Sequence, residues 1–230
     1  MYTKEGRTVK SFHHETEVNA VLADTAVIST QPTRLLLAGV FDAMAKYLEI
    51  KHRYNAESGE CPLGLDLAYT LSERSFEVLS GKTDTCLSDM QNRAFSDAVE
   101  QVVFTAVATT GVISGIARGS NQCALAHKFY EITRVLFSES SKPYLHGEIV
   151  GVGLLLQNYY NGEAERNAEL LKLMQKHSMP YRVGDLGVER TEESFSEYFN
   201  RIKNSSAIDE SNSEECERLE LALRYLWNIE

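Results

Sequence analysis

Thr33-Arg34-Leu35-Leu36-Leu37-Ala38-Gly39-Val40-Phe41-Asp42-Ala43-Met44-Ala45-Lys46 follows directly on Pro32, and how this stretch is read decides the fold. Proline suits a first helical turn, where its missing N–H costs nothing. Leu35, Leu36, Gly39, Ala43, Ala45, Tyr47 and Leu48 then recur at helical spacing to about His52. The opening turn is almost wholly apolar, which predicts burial. Asp42 is the polar exception, on a surface the pattern places inside.

Outward from this helix the chain stays helical. Glu57-Ser58-Gly59 breaks it, a second helix is predicted from Gly64 to Leu79, and Gly81 is read as its stop. A third is predicted from Leu87 to about Ile116. Its second half, Val102 to Ile116, is apolar nearly all round, the mark of a helix in the middle of a bundle. Gly111, Gly115 and Gly119 would line one face of it and admit a close neighbour. Further helices are expected at Ala124–Phe137, Leu145–Tyr160 and Ala164–His177, with two outer ones near Glu193–Lys203 and Glu214–Trp227. The front differs: Tyr2–Gly6, Thr8–Phe12 and a third apolar stretch over Ala20–Ala23 and Ala26–Ile28 read as extended chain. That is too little for an independent sheet. The fold class expected is therefore mainly α, a helical bundle over 31–230, with a β hairpin or strand remnant over 1–30.

Composition narrows the function. The chain has 230 residues, 43% hydrophobic and 24% charged, in the range of an ordinary globular protein of one large or two small domains. A formal charge of −10 repels phosphate backbones and argues against nucleic acid as a partner. Cys61, Cys86, Cys123 and Cys216 form no paired motif, so reduced thiols in a cytoplasm are expected. No stretch approaches the roughly 18 unbroken apolar residues of a membrane span, and no membrane partner is expected.

Three polar residues fall where the pattern predicts burial: Asp42, His127 and His146, on three separate helices. One carboxylate and two imidazoles suit a divalent transition metal and leave a coordination position open. Each taken singly also reads as a local cap or a core histidine. Cys123, one turn before His127, is a conceivable further soft ligand or simply a buried thiol. His13-His14 lies in a polar stretch.

The Thr33–Lys46 segment, Ala126-His127, and His146-Gly147-Glu148-Ile149-Val150-Gly151-Val152-Gly153 resemble the iron-containing alcohol dehydrogenase and glycerol dehydrogenase family. Asn19 to Ile28 is similar to the last strand region of that family's nucleotide-binding domain, and the likeness extends from about Tyr2 to about Tyr181. It implies a dehydroquinate synthase-like C-terminal helical domain in which Asp42, His127 and His146 hold zinc or iron. It implies further that the metal meets a substrate hydroxyl in a cleft between that domain and a dinucleotide-binding one. Glu148 is expected to orient a histidine from behind, or else to be an exposed carboxylate in a first helical turn.

The departures are equally specific. Phe41 replaces the usual glycine and is expected to crowd the substrate pocket, and Tyr130-Glu131-Ile132 follows where the family carries a second histidine. No strand leads through a glycine-rich turn into a helix, so the pyrophosphate-binding loop is not found. The expectation is the metal-binding helical domain of an NAD(P)-dependent alcohol or polyol dehydrogenase, acting on a small alcohol, truncated or completed by a separate nucleotide-binding chain. NAD(P) would bind only through that other chain. Self-association or a partner is expected to cover the apolar face that would meet the nucleotide-binding domain. The alternative is a non-catalytic scaffold that keeps the helical fold. A lyase of the dehydroquinate synthase type ranks last, because it calls for a glutamate ligand and a basic cluster.

Overall fold

The computed structural model describes residues 2–4, 7–10, 20–57, 59–117 and 122–230. β1 (Tyr2–Lys4) and β2 (Arg7–Lys10) pair antiparallel, with Thr3 opposite Thr8 and Lys4 opposite Arg7. The third extended stretch does not form. The Asp24 side chain accepts the Val27 N–H at 3.1 Å and starts the short helix α1 (Thr25–Ile28), as an aspartate before a threonine is suited to do. His13 and His14 lie outside the described residues.

α2 (Thr33–Ala56) starts where Pro32 predicts and runs one turn further than expected. α3 (Leu63–Gln91) corrects the reading that followed it, because the helix passes straight through Gly81. A glycine inside a helix costs only about 1 kcal/mol, and buried Leu79, Thr83, Cys86, Leu87 and Met90 on both sides hold the helix against the core. The true break is at Asn92-Arg93, where Arg93 has φ 54°. Ser96 then restarts the chain: its hydroxyl donates to Asp89 at 2.6 Å and accepts the Val99 N–H.

The run predicted as the central helix is α4 (Asp97–Phe104), a π-helical turn (Thr105–Thr109) and α5 (Thr110–Ala117). It packs on α3 by one side only, leaving Phe104, Val107 and Val112 exposed. A Cβ at Gly111 or Gly115 would meet nothing within 4 Å, so these glycines admit no neighbour among the described residues; Gly119 lies outside them. Asp97–Ala117 is also the one described stretch long and apolar enough to cross a membrane by length and composition. A search for unbroken apolar runs passes over it because Thr105, Thr109, Thr110 and Ser114 interrupt it.

α6 (Leu125–Leu136) and the short α7 (Ser138–Ser141) lead to α8 (His146–Tyr160), which takes the central place. From Gly147 to Asn158 every residue of α8 is buried, against α2, α6 and α11. Glycine makes this possible. A Cβ at Gly147 would lie 1.8 Å from the Ala38 carbonyl oxygen, and one at Gly153 would lie 2.7 Å from that of Ala126, so α2 and α6 both touch α8 backbone to backbone.

A 3₁₀ turn (Ala164–Arg166) precedes α9 (Asn167–Lys176), and another (Val183–Leu186) leads towards α10 (Glu192–Lys203) and α11 (Ser213–Trp227). These last two helices are not merely peripheral. Tyr198, Ile202, Leu219 and Leu223 are wholly buried in the main core, and the Tyr198 and Thr133 hydroxyls share a buried 2.7 Å hydrogen bond. Half-buried Tyr159 stacks on Tyr225, and buried Trp227 meets Tyr198 edge-on.

Candidate metal centre

Two close backbone crossings bring the start of α8 and the start of α6 against the middle of α2. His146 is the first residue of α8 and His127 the third of α6, so both imidazoles project from first helical turns towards Asp42 on α2. The Asp42 Oδ1 atom lies 3.0 Å from His146 Nε2 and 3.4 Å from His127 Nε2. The two rings are 5.4 Å apart between centroids and tilted by 47°. His127 is 15% exposed, whereas Asp42 and His146 are each 40% exposed, so one side of the group is open. The three residues expected to meet do meet, with all ligand atoms within 4.8 Å of one another.

The donor set fits a small divalent cation. Ligand atoms around a tetrahedral ion with bonds of about 2.1 Å sit roughly 3.4 Å apart, close to the separations found. One carboxylate oxygen and two imidazole nitrogens suit zinc or ferrous iron better than calcium or magnesium, which prefer all-oxygen sets. Burial alone would raise the Asp42 pKa, but hydrogen bonds from His127 and His146 and their charges outweigh it and hold the carboxyl well below the usual range.

Behind His127 stands Glu49, which sequence reading did not single out. It is fully buried. Its Oε2 lies 2.6 Å from His127 Nδ1, and its Oε1 accepts the N–H groups of Ala124 at 2.8 Å and His127 at 2.9 Å. Burial works against ionisation of Glu49, yet the His127 charge and these hydrogen bonds hold its pKa below normal. Burial likewise lowers the His127 pKa, but the Glu49 charge and the bond to Asp42 raise it well above the ordinary imidazole value.

A signal for Glu49 was present. Asp42, Lys46, Glu49 and Arg53 are spaced 4, 3 and 4 apart, a single stripe on a helix. All four reach the chain around the start of α6: Asp42 meets His127, Lys46 donates to the Gln122 side chain, Glu49 takes Ala124 and His127, and Arg53 donates twice to the Cys123 carbonyl.

Other expectations are corrected by the contacts. Glu148 is buried, and both its oxygens bind Arg34, at 2.6 and 2.7 Å, while Oε2 also accepts the Leu145 N–H. Its carboxylate thus fixes the start of α8 and, in place of an imidazole, takes a guanidinium from α2. Phe41 is wholly buried against Gly151 in the α2–α8 contact, away from the open side. Tyr130 meets His146 edge-on at 4.2 Å between centroids and forms a wall of the site. Cys123 groups with Glu49 and the Nδ1 side of His127, the opposite edge from Asp42, so it is no fourth ligand to the Asp42 group.

No protein-family model matches the chain. Curated relatives do. The glycerol dehydrogenase of Citrobacter freundii is 28% identical over 192 residues, covering 82% of this chain and 51% of its own length. Hydroxycarboxylate dehydrogenase A of Escherichia coli (strain K12) is 27% identical over 169 residues, covering 74% and 46%. A glycerol-1-phosphate dehydrogenase of Methanoculleus marisnigri, whose name carries NAD(P)+, is 31% identical over 172 residues, covering 72% and 44%. The chain therefore spans about half the length of the curated relatives it matches. Among solved structures, glycerol dehydrogenase from Schizosaccharomyces pombe superposes with a TM-score of 0.78 at 19% identity, covering 98% of this chain and 58% of that one. A probable glycerol dehydrogenase from Sinorhizobium meliloti 1021 gives 0.70 at 19% identity, covering 88% and 57%. The fold is thus a helical one found within glycerol dehydrogenases. The chain belongs to the iron-containing alcohol dehydrogenase and glycerol dehydrogenase family.

Proposed function

We propose that residues 31–230 are the metal-binding helical unit of an NAD(P)-dependent alcohol or polyol dehydrogenase, in which Asp42, His127 and His146 hold one zinc or iron ion. The observation that carries this reading is the convergence of both Nε2 atoms on one Asp42 oxygen, beside an open side. A divalent ion held there supplies Lewis acidity that makes a substrate hydroxyl easier to deprotonate. The protein's own part is to keep the two imidazoles and the carboxylate aimed at one point, to wall the site with Tyr130, and to leave room for a small alcohol. Names of the relatives support a small hydroxylated substrate: glycerol, glycerol 1-phosphate or a hydroxycarboxylate.

A nucleotide-binding unit completes the enzyme in this reading. Among the described residues no strand runs through a glycine-rich turn into a helix, so nothing there offers the amide cradle a pyrophosphate needs. The strands β1 and β2, with the rest of 1–30, would be the edge of such a unit. Metal analysis tests the site: purified protein should carry about one equivalent of zinc or iron, lost in His146→Ala. Unchanged metal content in that variant would count against the assignment. Glycerol oxidation with NAD+ or NADP+ should be undetectable with residues 31–230 alone and appear when they are joined to or mixed with a nucleotide-binding unit. The second reading is a scaffold that keeps the fold and the metal, and persistent inactivity in that mixing experiment would support it.

A further inference from the structure

We propose that Glu49 is the positioning residue of this site: from behind, it keeps a proton on Nδ1 of His127, so that Nε2, the nitrogen facing Asp42, is the one left to bind a cation seated between them. The proposal rests on the metal reading above and extends it to a residue that touches neither substrate nor ion.

The geometry carries the argument. An imidazole offers a metal only the nitrogen that bears no proton, and which nitrogen that is depends on the partner of the other one. For His127 the other partner is a fully buried carboxylate oxygen 2.6 Å from Nδ1, an acceptor that selects Nδ1–H. Glu49 is itself immobilised. Oε1 is shared by the Ala124 and His127 N–H groups, the free donors at the start of α6, whose own cap residue Ala124 has no side-chain acceptor. One carboxylate thus takes the place of a local N-cap and orients the ring two positions into the same helix. Gln157 of α8 provides a natural comparison: its Oε1 accepts the Leu125 N–H at 2.8 Å and so caps the same helix without touching the imidazole.

The same atoms make a rival arrangement. Glu49, Cys123 and His127 also lie close enough to hold an ion, and a cation seated there would use Nδ1 instead. In the conformation described, Glu49 is already committed to three donors, which favours the Asp42 side.

The full chain decides between them. With Zn²⁺ bound to ¹⁵N-labelled wild-type protein, the expected spectrum shows His127 coordinated through Nε2 and carrying a proton on Nδ1. Glu49→Gln should lower Zn²⁺ affinity about 10- to 100-fold, because an amide N–H facing Nδ1 drives the proton to Nε2. The Nδ1–H signal should vanish in that variant. Gln157→Ala should lose thermal stability while keeping wild-type affinity. Coordination through Nδ1, or a thiolate charge-transfer band on Co²⁺ loading that Cys123→Ser abolishes, would overturn the proposal, and both are read in protein with Glu49 intact even if Glu49→Gln fails to fold. Equal affinity losses in Glu49→Gln and Gln157→Ala would reduce Glu49 to a helix cap and overturn it too. If wild-type protein takes up no Zn²⁺ or Co²⁺, the metal reading falls and this proposal with it. If uptake depends on His146 while Glu49→Gln binds as tightly as wild type, only the role of Glu49 falls.

Discussion

His52, near the end of α2, stacks parallel to Tyr160 at 4.8 Å, nearly inaccessible to water, with Gln157 Nε2 against its Nδ1. Burial foremost, and then the nearby Arg53 charge, push its pKa down to about 4 from 6.5. A depressed histidine is neutral in the fold, so its contribution is present in full above pH 6.5 and is lost as pH falls towards 4. The gap corresponds to on the order of 3 kcal/mol. His52→Phe keeps the ring stack but removes the titration. Urea unfolding should therefore show a shallower loss of stability between pH 6.5 and 4 in the variant than in wild type, and parallel curves would refute it. Asp42 and Glu49 are lowered carboxylates, so their share is lost only as pH falls further, through their folded values. His127 has the opposite sign: it is raised, and its pairing with Glu49 is present below pH 6.5 and lost as pH rises through its folded value.

Two glycines in helices have opposite environments, and they show what an element is for. Gly147 sits where α8 touches α2, and an added methyl would lie 1.8 Å from the Ala38 carbonyl oxygen. Because the clash is with backbone, the helices must separate, and Gly147→Ala should cost about 3 kcal/mol or more in denaturant unfolding. The same separation moves His146 from Asp42, so Zn²⁺ affinity should fall with it. Gly81 is exposed on α3 with nothing within 4 Å of an added Cβ. Gly81→Ala should raise stability by about 0.5–1 kcal/mol. A destabilised Gly81→Ala would mean that α3 needs flexibility there. The sequence makes both helices legible through apolar periodicity, but it presents the glycines alike. Only the neighbouring backbone separates a contact that requires glycine from a position that merely tolerates it.

At the scale of the whole molecule, the described residues leave the apolar side of the Asp97–Ala117 run uncovered: Phe104 is 63% exposed, Val107 44% and Val112 53%. A patch of this kind marks an interaction surface more often than bare solvent contact. The chain should therefore associate with itself in sedimentation as concentration rises. Phe104→Glu combined with Val112→Glu should shift it towards monomer with little change in melting temperature, since neither side chain is in the core. Concentration-independent monomer for the unaltered chain would contradict this. The charge of −10 does not prevent such association, because it is spread over acidic faces elsewhere, the Ser205–Ser213 segment and α11 among them.

Helical periodicity and the Pro32 start pointed to the mainly helical class, and the same spacing marked Asp42, His127 and His146 as polar residues on apolar faces; their assignment to one metal came from the family resemblance of the segments around them. The stripe Asp42–Lys46–Glu49–Arg53 was equally local and was passed over because charged residues on a helix usually face water. Which hydrophobic helix is central could not be read from composition: Val102–Ile116 and α8 are both apolar, and only the crossings at Gly147 and Gly153 bury the second. The exchange of partners between Glu148 and Glu49 was likewise decided in three dimensions. A carboxylate takes whichever donor the packing brings to it, and for these two the donors come from residues 114 and 78 positions away.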